Sequence, residues 1–122
     1  MNTVLIVDDS RIMRGIVKKT FAEMDIPCQF LEAENGRIAM QVLETNKVSL
    51  VLLDWNMAGM NGLEFLKRVR AMPVYKELPI VMVTSEAARY NMVEALQNGA
   101  TDYIVKPIKD KEFAEKITEI LF

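Results

Sequence analysis

Four short, mainly apolar runs in this chain each end in a group that can do chemistry. Val4 to Val7 ends in Asp8-Asp9, Leu50 to Leu53 in Asp54, Ile80 to Val83 in Thr84, and Asp102 to Val105 in Lys106-Pro107. Singly, none is informative; an aspartate after a strand often does no more than cap the next turn. Brought together, Asp8, Asp9 and Asp54 crowd like charges into one cleft, which costs stability unless a cation enters or one carboxylate takes up a proton. Magnesium suits such a cluster, because it favours a few carboxylate oxygens, a backbone carbonyl and water, and completes its shell with a phosphate oxygen. Calcium suits it less, since the loops lack the alternating ligands of an EF-hand. Lys106 and the Thr84 hydroxyl would then hold two further oxygens of a phosphoryl group, which leaves Asp54, the most central carboxylate, as nucleophile. The product of that chemistry is an aspartyl phosphate.

These groups need a frame that gathers strand ends. Leu50, Val51, Leu52 and Leu53 are apolar at every position, as in a strand buried on both faces of a parallel sheet. After the first strand, Ser10 is placed to cap a helix in which Ile12, Met13, Ile16, Val17, Thr20, Phe21 and Met24 recur at three- and four-residue spacing and are expected in the core. Asp25-Ile26-Pro27 stops it, and Gln29 to Ala33 reads as a second strand whose Gln29 and Glu32 suggest a sheet edge. Asn35-Gly36 opens a second helix with Ile38, Ala39, Val42 and Leu43 on one face. A third runs from about Gly62 to Ala71, burying Leu63, Leu66 and Val69 with Lys67, Arg68 and Arg70 in water, and stops before Pro73. A fourth, about Ala87 to Asn98, closes at Asn98-Gly99, a pair suited to the left-handed conformation. The last starts with Asp110 as N-cap and buries Phe113, Ile117, Ile120 and Leu121. Five β-α units of this length predict an α/β fold, a doubly wound five-stranded parallel sheet with five helices. Periodicity does not choose the strand order, although the flavodoxin-like order 2-1-3-4-5 would set strands one and three side by side at the switch point, where ligands bind.

Composition narrows the function. With 122 residues and 51% hydrophobic content the chain reads as one soluble domain, residues 1–122, able to bury a core without staples. Fifteen basic and 17 acidic residues leave a net charge of −2, which gives no electrostatic footprint for nucleic acid. Cys28 is the only cysteine and histidine is absent, which excludes internal disulfides, ordinary zinc sites and imidazole as base or phosphate carrier. No segment reaches membrane-spanning length and Met1-Asn2-Thr3 has no basic leader, so a cytoplasmic location and no membrane partner are expected.

The spacing of Asp8-Asp9, Asp54, Thr84 and Lys106-Pro107 across four strand ends resembles the receiver domain of two-component response regulators, and the likeness covers the whole chain. The stretch Leu53-Asp54-Trp55-Asn56-Met57 is most similar to the family's stand-alone chemotaxis type. The resemblance implies that Asp54 is phosphorylated by a histidine kinase, that Asp9 and Asp54 ligate Mg2+ directly with Asp8 acting through water, and that the Asn56 carbonyl completes the protein ligands. It implies that Thr84 and Lys106 bind the phosphoryl group and that Tyr103 is an aromatic switch turning inward as Thr84 moves; as a residue alone, Tyr103 reads as a half-buried strand tyrosine. It further implies a cis Lys106-Pro107 bond, and a short-lived phosphate tuned by Asn56 and Glu86. A partner would read the surface of helix four, strand five and helix five, near Ser85, Tyr90, Lys109 and Lys111. The expected output is the flagellar motor switch, with a phosphatase as a further partner and a monomeric state. Such a protein is not an enzyme beyond its own phosphorylation and dephosphorylation. One departure is Ala58, where many receivers have proline, which leaves the loop after Asp54 less stiff.

Other readings fit less well. An aspartyl-phosphate phosphatase of the haloacid-dehalogenase type places a second aspartate two residues after the nucleophile, and here that position is Asn56. A flavodoxin needs a Ser- and Thr-rich phosphate loop after the first strand, where Asp8-Asp9 would repel the flavin phosphate. A pure scaffold would have no use for the intact set of carboxylates, threonine and lysine. Within the receiver reading, a phosphorelay intermediate or a phosphate sink stand beside the motor switch.

Overall fold

Parallel strands that are apolar at every position need cover on both faces, and helical crossovers supply it. The computed structural model describes the backbone of residues 1–85 and 89–122, and the side chains of 1–85 and 91–122. Its strands are β1 (Asn2–Val7), β2 (Cys28–Ala33), β3 (Leu50–Leu53), β4 (Ile80–Thr84) and β5 (Asp102–Val105). All pair in parallel, in the order β2-β1-β3-β4-β5, so the flavodoxin-like order holds and β2 is an edge. The helices are α1 (Arg11–Glu23), α2 (Gly36–Thr45), α3 (Gly62–Arg70), α4 (Arg89–Gln97) and α5 (Asp110–Leu121).

Side chains alternate across each strand, which divides the core in two. Leu5, Val51, Leu53, Met82 and Tyr103 pack with residues of α2, α3 and α4 on one face, and Val4, Leu50, Leu52, Val81 and Ile104 pack with α1 and α5 on the other. On the second face Phe21 meets Phe30 and Phe113 edge-on, with ring centroids 5.2 and 5.4 Å away, a geometry that adds about 0.5–1.5 kcal/mol per pair beyond area burial. Among the described residues, three strand-to-helix loops close on side-chain caps. Ser10 Oγ accepts from the Met13 N–H at 3.2 Å, Asn35 Oδ1 from Ile38 at 2.9 Å and Asn61 Oδ1 from Glu64 at 2.9 Å. Each cap satisfies a helix-start donor and fixes where its loop ends.

Several details depart from the sequence expectation. Ile12 and Ile16 are exposed, not core, and only Val17, Thr20 and Phe21 of the α1 stripe are buried. At about 100° per residue Ile12 lies about 140° round the helix from Val17, so one sheet face cannot cover both. Phe65 is fully buried in α3 while Leu63 is only partly so. Arg70 does not stay in water: its Nε donates to the Gly99 carbonyl at 2.9 Å and its Nη1 to the Tyr75 carbonyl at 2.7 Å. Those carbonyls belong to the turn after α4 and to a 3-10 turn, Pro73–Tyr75, that the sequence pattern did not signal. Asp110 is the first residue of α5, not its cap; Lys109 holds the cap position without a side-chain bond. Gly99 closes α4 at φ +101°, as its sequence context predicted.

Candidate functional site

Register decides which strand ends meet. Val7 pairs with Leu53, so Asp8 and Asp54, one residue further on, emerge side by side at the switch point between β1 and β3. The ladder runs one step past each strand: the Asp54 N–H donates to the Val7 carbonyl at 2.9 Å and the Asp8 N–H to Ala33 at 3.0 Å. Both carboxylates are buried, 7% and 6% exposed, while Asp9 faces solvent. Oxygens of the three carboxylates all lie within 4.8 Å of one another.

Lys106 enters from two strands away. Its backbone N–H continues the β4-β5 ladder to the Thr84 carbonyl at 2.8 Å. Its Nζ lies 3.0 Å from Asp8 Oδ2 and 3.4 Å from Asp54 Oδ1. Burial, followed by the neighbouring Asp8 charge, pushes the Asp54 carboxyl above its ordinary range; Lys106 pulls it back and Asp9 adds a smaller upward push. Among the described residues, one ammonium against three carboxylates leaves an excess of negative charge around a cleft of hard oxygen donors, so the cluster is compatible with Mg2+.

The other expected residues fall around this centre. Thr84 is wholly buried at the end of β4, and Asn56 is exposed two residues past Asp54. Tyr103 is 2% exposed and packed in the core beside α4, not half-buried. The Lys106-Pro107 peptide is cis, as expected. Ser85, Lys109 and Lys111 are exposed, whereas Glu86 and the side chain of Tyr90 lie outside the described residues.

Two residues of the site escaped sequence reasoning. Gly62, where α3 begins, donates its N–H to the Trp55 carbonyl at 2.8 Å, and a Cβ there would collide with the Asp54 carbonyl oxygen and the Trp55 Cα. Only glycine lets α3 start against the backbone of the loop after Asp54, and its sequence signal was the Asn61-Gly62 pair at a helix start. Arg14 donates from Nη1 to the Asp8 carbonyl at 2.6 Å and from Nε to Glu32 Oε1 at 3.0 Å. Its signal was a long basic side chain one turn past the Ser10 cap, since helical side chains lean toward the N-terminus.

Among the described residues no helix is long and apolar enough to cross a membrane. The family profile described as the response regulator receiver domain matches residues 4–118. A chemotaxis protein CheY homolog from Campylobacter jejuni is 42% identical over 119 residues, 97% of this chain and 91% of that protein. Chemotaxis protein CheY1 of Helicobacter pylori is also 42% identical over 119 residues, covering 97% of this chain and 95% of its own length. The crystal structure of Vibrio cholerae chemotaxis protein CheY4 superimposes with a TM-score of 0.89 over 99% of both chains at 33% identity.

Proposed function

The chain belongs to the response regulator receiver family, and on that premise we propose that it is a CheY-type signalling switch in which Asp54 accepts a phosphoryl group from a histidine kinase. The observation that carries this reading is Lys106 Nζ bridging Asp8 and Asp54 within a cluster of three carboxylates. The donor histidine lies outside these 122 residues, which contain none. An Asp54 oxygen attacks phosphorus in line with the scissile bond; the O–P bond forms as the N–P bond breaks, and its electron pair leaves on the imidazole nitrogen.

Mg2+ would be held by Asp9, Asp54 and the Asn56 carbonyl, with Asp8 acting through water, and when bound it supplies positive charge to the phosphoryl oxygens. Lys106 does two things. Its ammonium favours the ionised, nucleophilic form of Asp54 against burial, and it stays within reach of an oxygen of the added phosphoryl group. The Thr84 hydroxyl binds another oxygen, and the shift of Thr84 is relayed to the α4/β5/α5 face through Tyr103, which stands on the neighbouring strand opposite Met82. There Ser85, Lys109 and Lys111 are open to a partner. The chemotaxis names of relatives at 42% identity favour the flagellar motor switch as that partner. Asn56, exposed two residues past Asp54, leaves room for an attacking water, and with Glu86 in the tuning role that the family resemblance implies it makes the phosphorylated state short-lived. The protein acts as a regulator, not as an enzyme on an external substrate.

Trp55, the only tryptophan, is half-buried beside Asp54 and reports on the cleft. Magnesium is expected to change its fluorescence, and acetyl phosphate to cause a further change that Asp54→Ala abolishes. No response of the wild type to either reagent would overturn the reading.

A further inference from the structure

Every polar atom of Asp8 is engaged. Its N–H donates to the Ala33 carbonyl at 3.0 Å, its Oδ1 accepts from the Ser10 N–H at 2.9 Å, and its Oδ2 lies 3.0 Å from Lys106 Nζ. The remaining atom, its carbonyl oxygen, takes the shortest of these bonds, 2.6 Å from Arg14 Nη1. That carbonyl belongs to the rigid peptide plane joining Asp8 to Asp9, so its direction sets where the Asp9 Cα, and hence the Asp9 carboxylate, stands. Arg14 is itself clamped. Its Nε donates to Glu32 Oε1 at 3.0 Å, the second Glu32 oxygen is held by Lys18 Nζ at 3.0 Å, and the Arg14 side chain is 14% exposed. A cation in the first turn of α1 opposes the helix dipole, and the charge-assisted bonds to Asp8 and Glu32 offset that penalty.

We propose that Arg14 is a positioning residue for the divalent-cation site, holding the Asp8-Asp9 peptide through its carbonyl and braced against the sheet edge by Glu32 on β2. The inference rests on the magnesium reading above. Arg14 touches neither the cation nor the phosphoryl group; it orders two of the carboxylates before the cation arrives, so that binding does not have to order them. Coulomb's law supplies a test by sign. If Arg14 acted only as a nearby positive charge, removing it would tighten cation binding; if it positions Asp9, removing it weakens binding despite the gain in negative potential.

The experiment titrates wild type, Arg14→Gln and Arg14→Lys with magnesium alone, following Trp55 fluorescence, with urea melts alongside. Arg14→Gln is expected to weaken magnesium affinity about tenfold, the range seen when an outer partner of a metal ligand is lost. Arg14→Lys keeps the charge, but its single nitrogen cannot serve both Asp8 and Glu32 with the fork of a guanidinium, so it is expected to weaken affinity in the same direction. In the metal-free protein, hydrogen exchange at the Ser10 amide should quicken in both variants, because the turn it closes is no longer fixed. Unchanged or tighter magnesium binding in a folded Arg14→Lys protein would overturn the proposal, as would a lowered melt with no change in affinity. A wild type that ignores magnesium would overturn the functional reading itself, and this outcome is distinct from the others.

Discussion

The two ends of one sheet are finished in opposite ways. At the amino end, the Thr3 N–H donates to Ser49 Oγ at 3.0 Å and the Ser49 N–H returns to the Thr3 carbonyl at 2.8 Å. The Ile80 N–H donates to Thr101 Oγ1 at 3.0 Å and the Thr101 N–H returns to Ile80 at 2.7 Å. These pairs are neutral and reciprocal, so they close the strand starts without help from anything outside the chain. At the carboxyl end three carboxylates meet one lysine, and burial pushes the central one toward its protonated form. The same backbone therefore carries a self-sufficient end and, among the described residues, an end with an excess of negative charge that is compatible with a cation.

Gly62→Ala should disturb the carboxyl end most. The new methyl runs into the Asp54 carbonyl, an immovable backbone atom, and the cost is expected at about 1–3 kcal/mol in a urea melt, with a weakened Trp55 response to magnesium. A variant as stable and as responsive as wild type would mean that α3 can back away from the loop. Thr101→Val tests the other end. It leaves the Ile80 N–H without its acceptor and should cost about 1 kcal/mol while magnesium binding stays at the wild-type value. A changed magnesium affinity would show that the two ends are coupled.

Asp54→Asn should give the smallest shift in stability, but one of opposite sign. The folded-state pKa of Asp54 is raised, so the wild type gains stability from this group below the ordinary carboxylate pKa and loses it as pH rises through the folded value. The neutral variant has no such loss. Without metal it should therefore match wild type in acid and melt at higher urea near neutral pH, the gap opening between those two pKa values; melts across pH measure it. A gap that closed as pH rose would contradict the burial argument.

How far this could be read in advance depends on range along the chain. The strands were legible because each is a short run apolar at every position, and the caps Ser10 and Asn35 because a helix start is decided within four residues. The acidic cluster was legible because strand ends in a doubly wound sheet share one edge, so four separate motifs had to converge. Arg70 was misread because its partners, Gly99 and Tyr75, lie on other turns, and nothing in the α3 pattern announces them. Ile12 was misread because three- and four-residue spacing describes a broad stripe, whereas the sheet covers a narrower one. Gly62 and Arg14 were overlooked for a related reason: a glycine at a helix start and a basic residue one turn past a cap are visible in the sequence, but the backbone atoms of Asp54, Trp55 and Asp8 that they meet are not.

The amino-acid sequence alone determined the α/β class, the strand-end positions of Asp8, Asp9, Asp54, Thr84 and Lys106, and the excess of acid among them. These follow from local periodicity and from the chain order of β-α units, both properties of neighbouring residues. Only the tertiary structure decided the strand order and the pairing of Val7 with Leu53 that sets Asp8 beside Asp54. It alone decided that Lys106 reaches both carboxylates, and that Arg14 and Gly62 hold the backbone on which they stand. Those outcomes depend on register, burial and close approach between segments far apart in the chain, which exist only once the sheet has closed around its two cores.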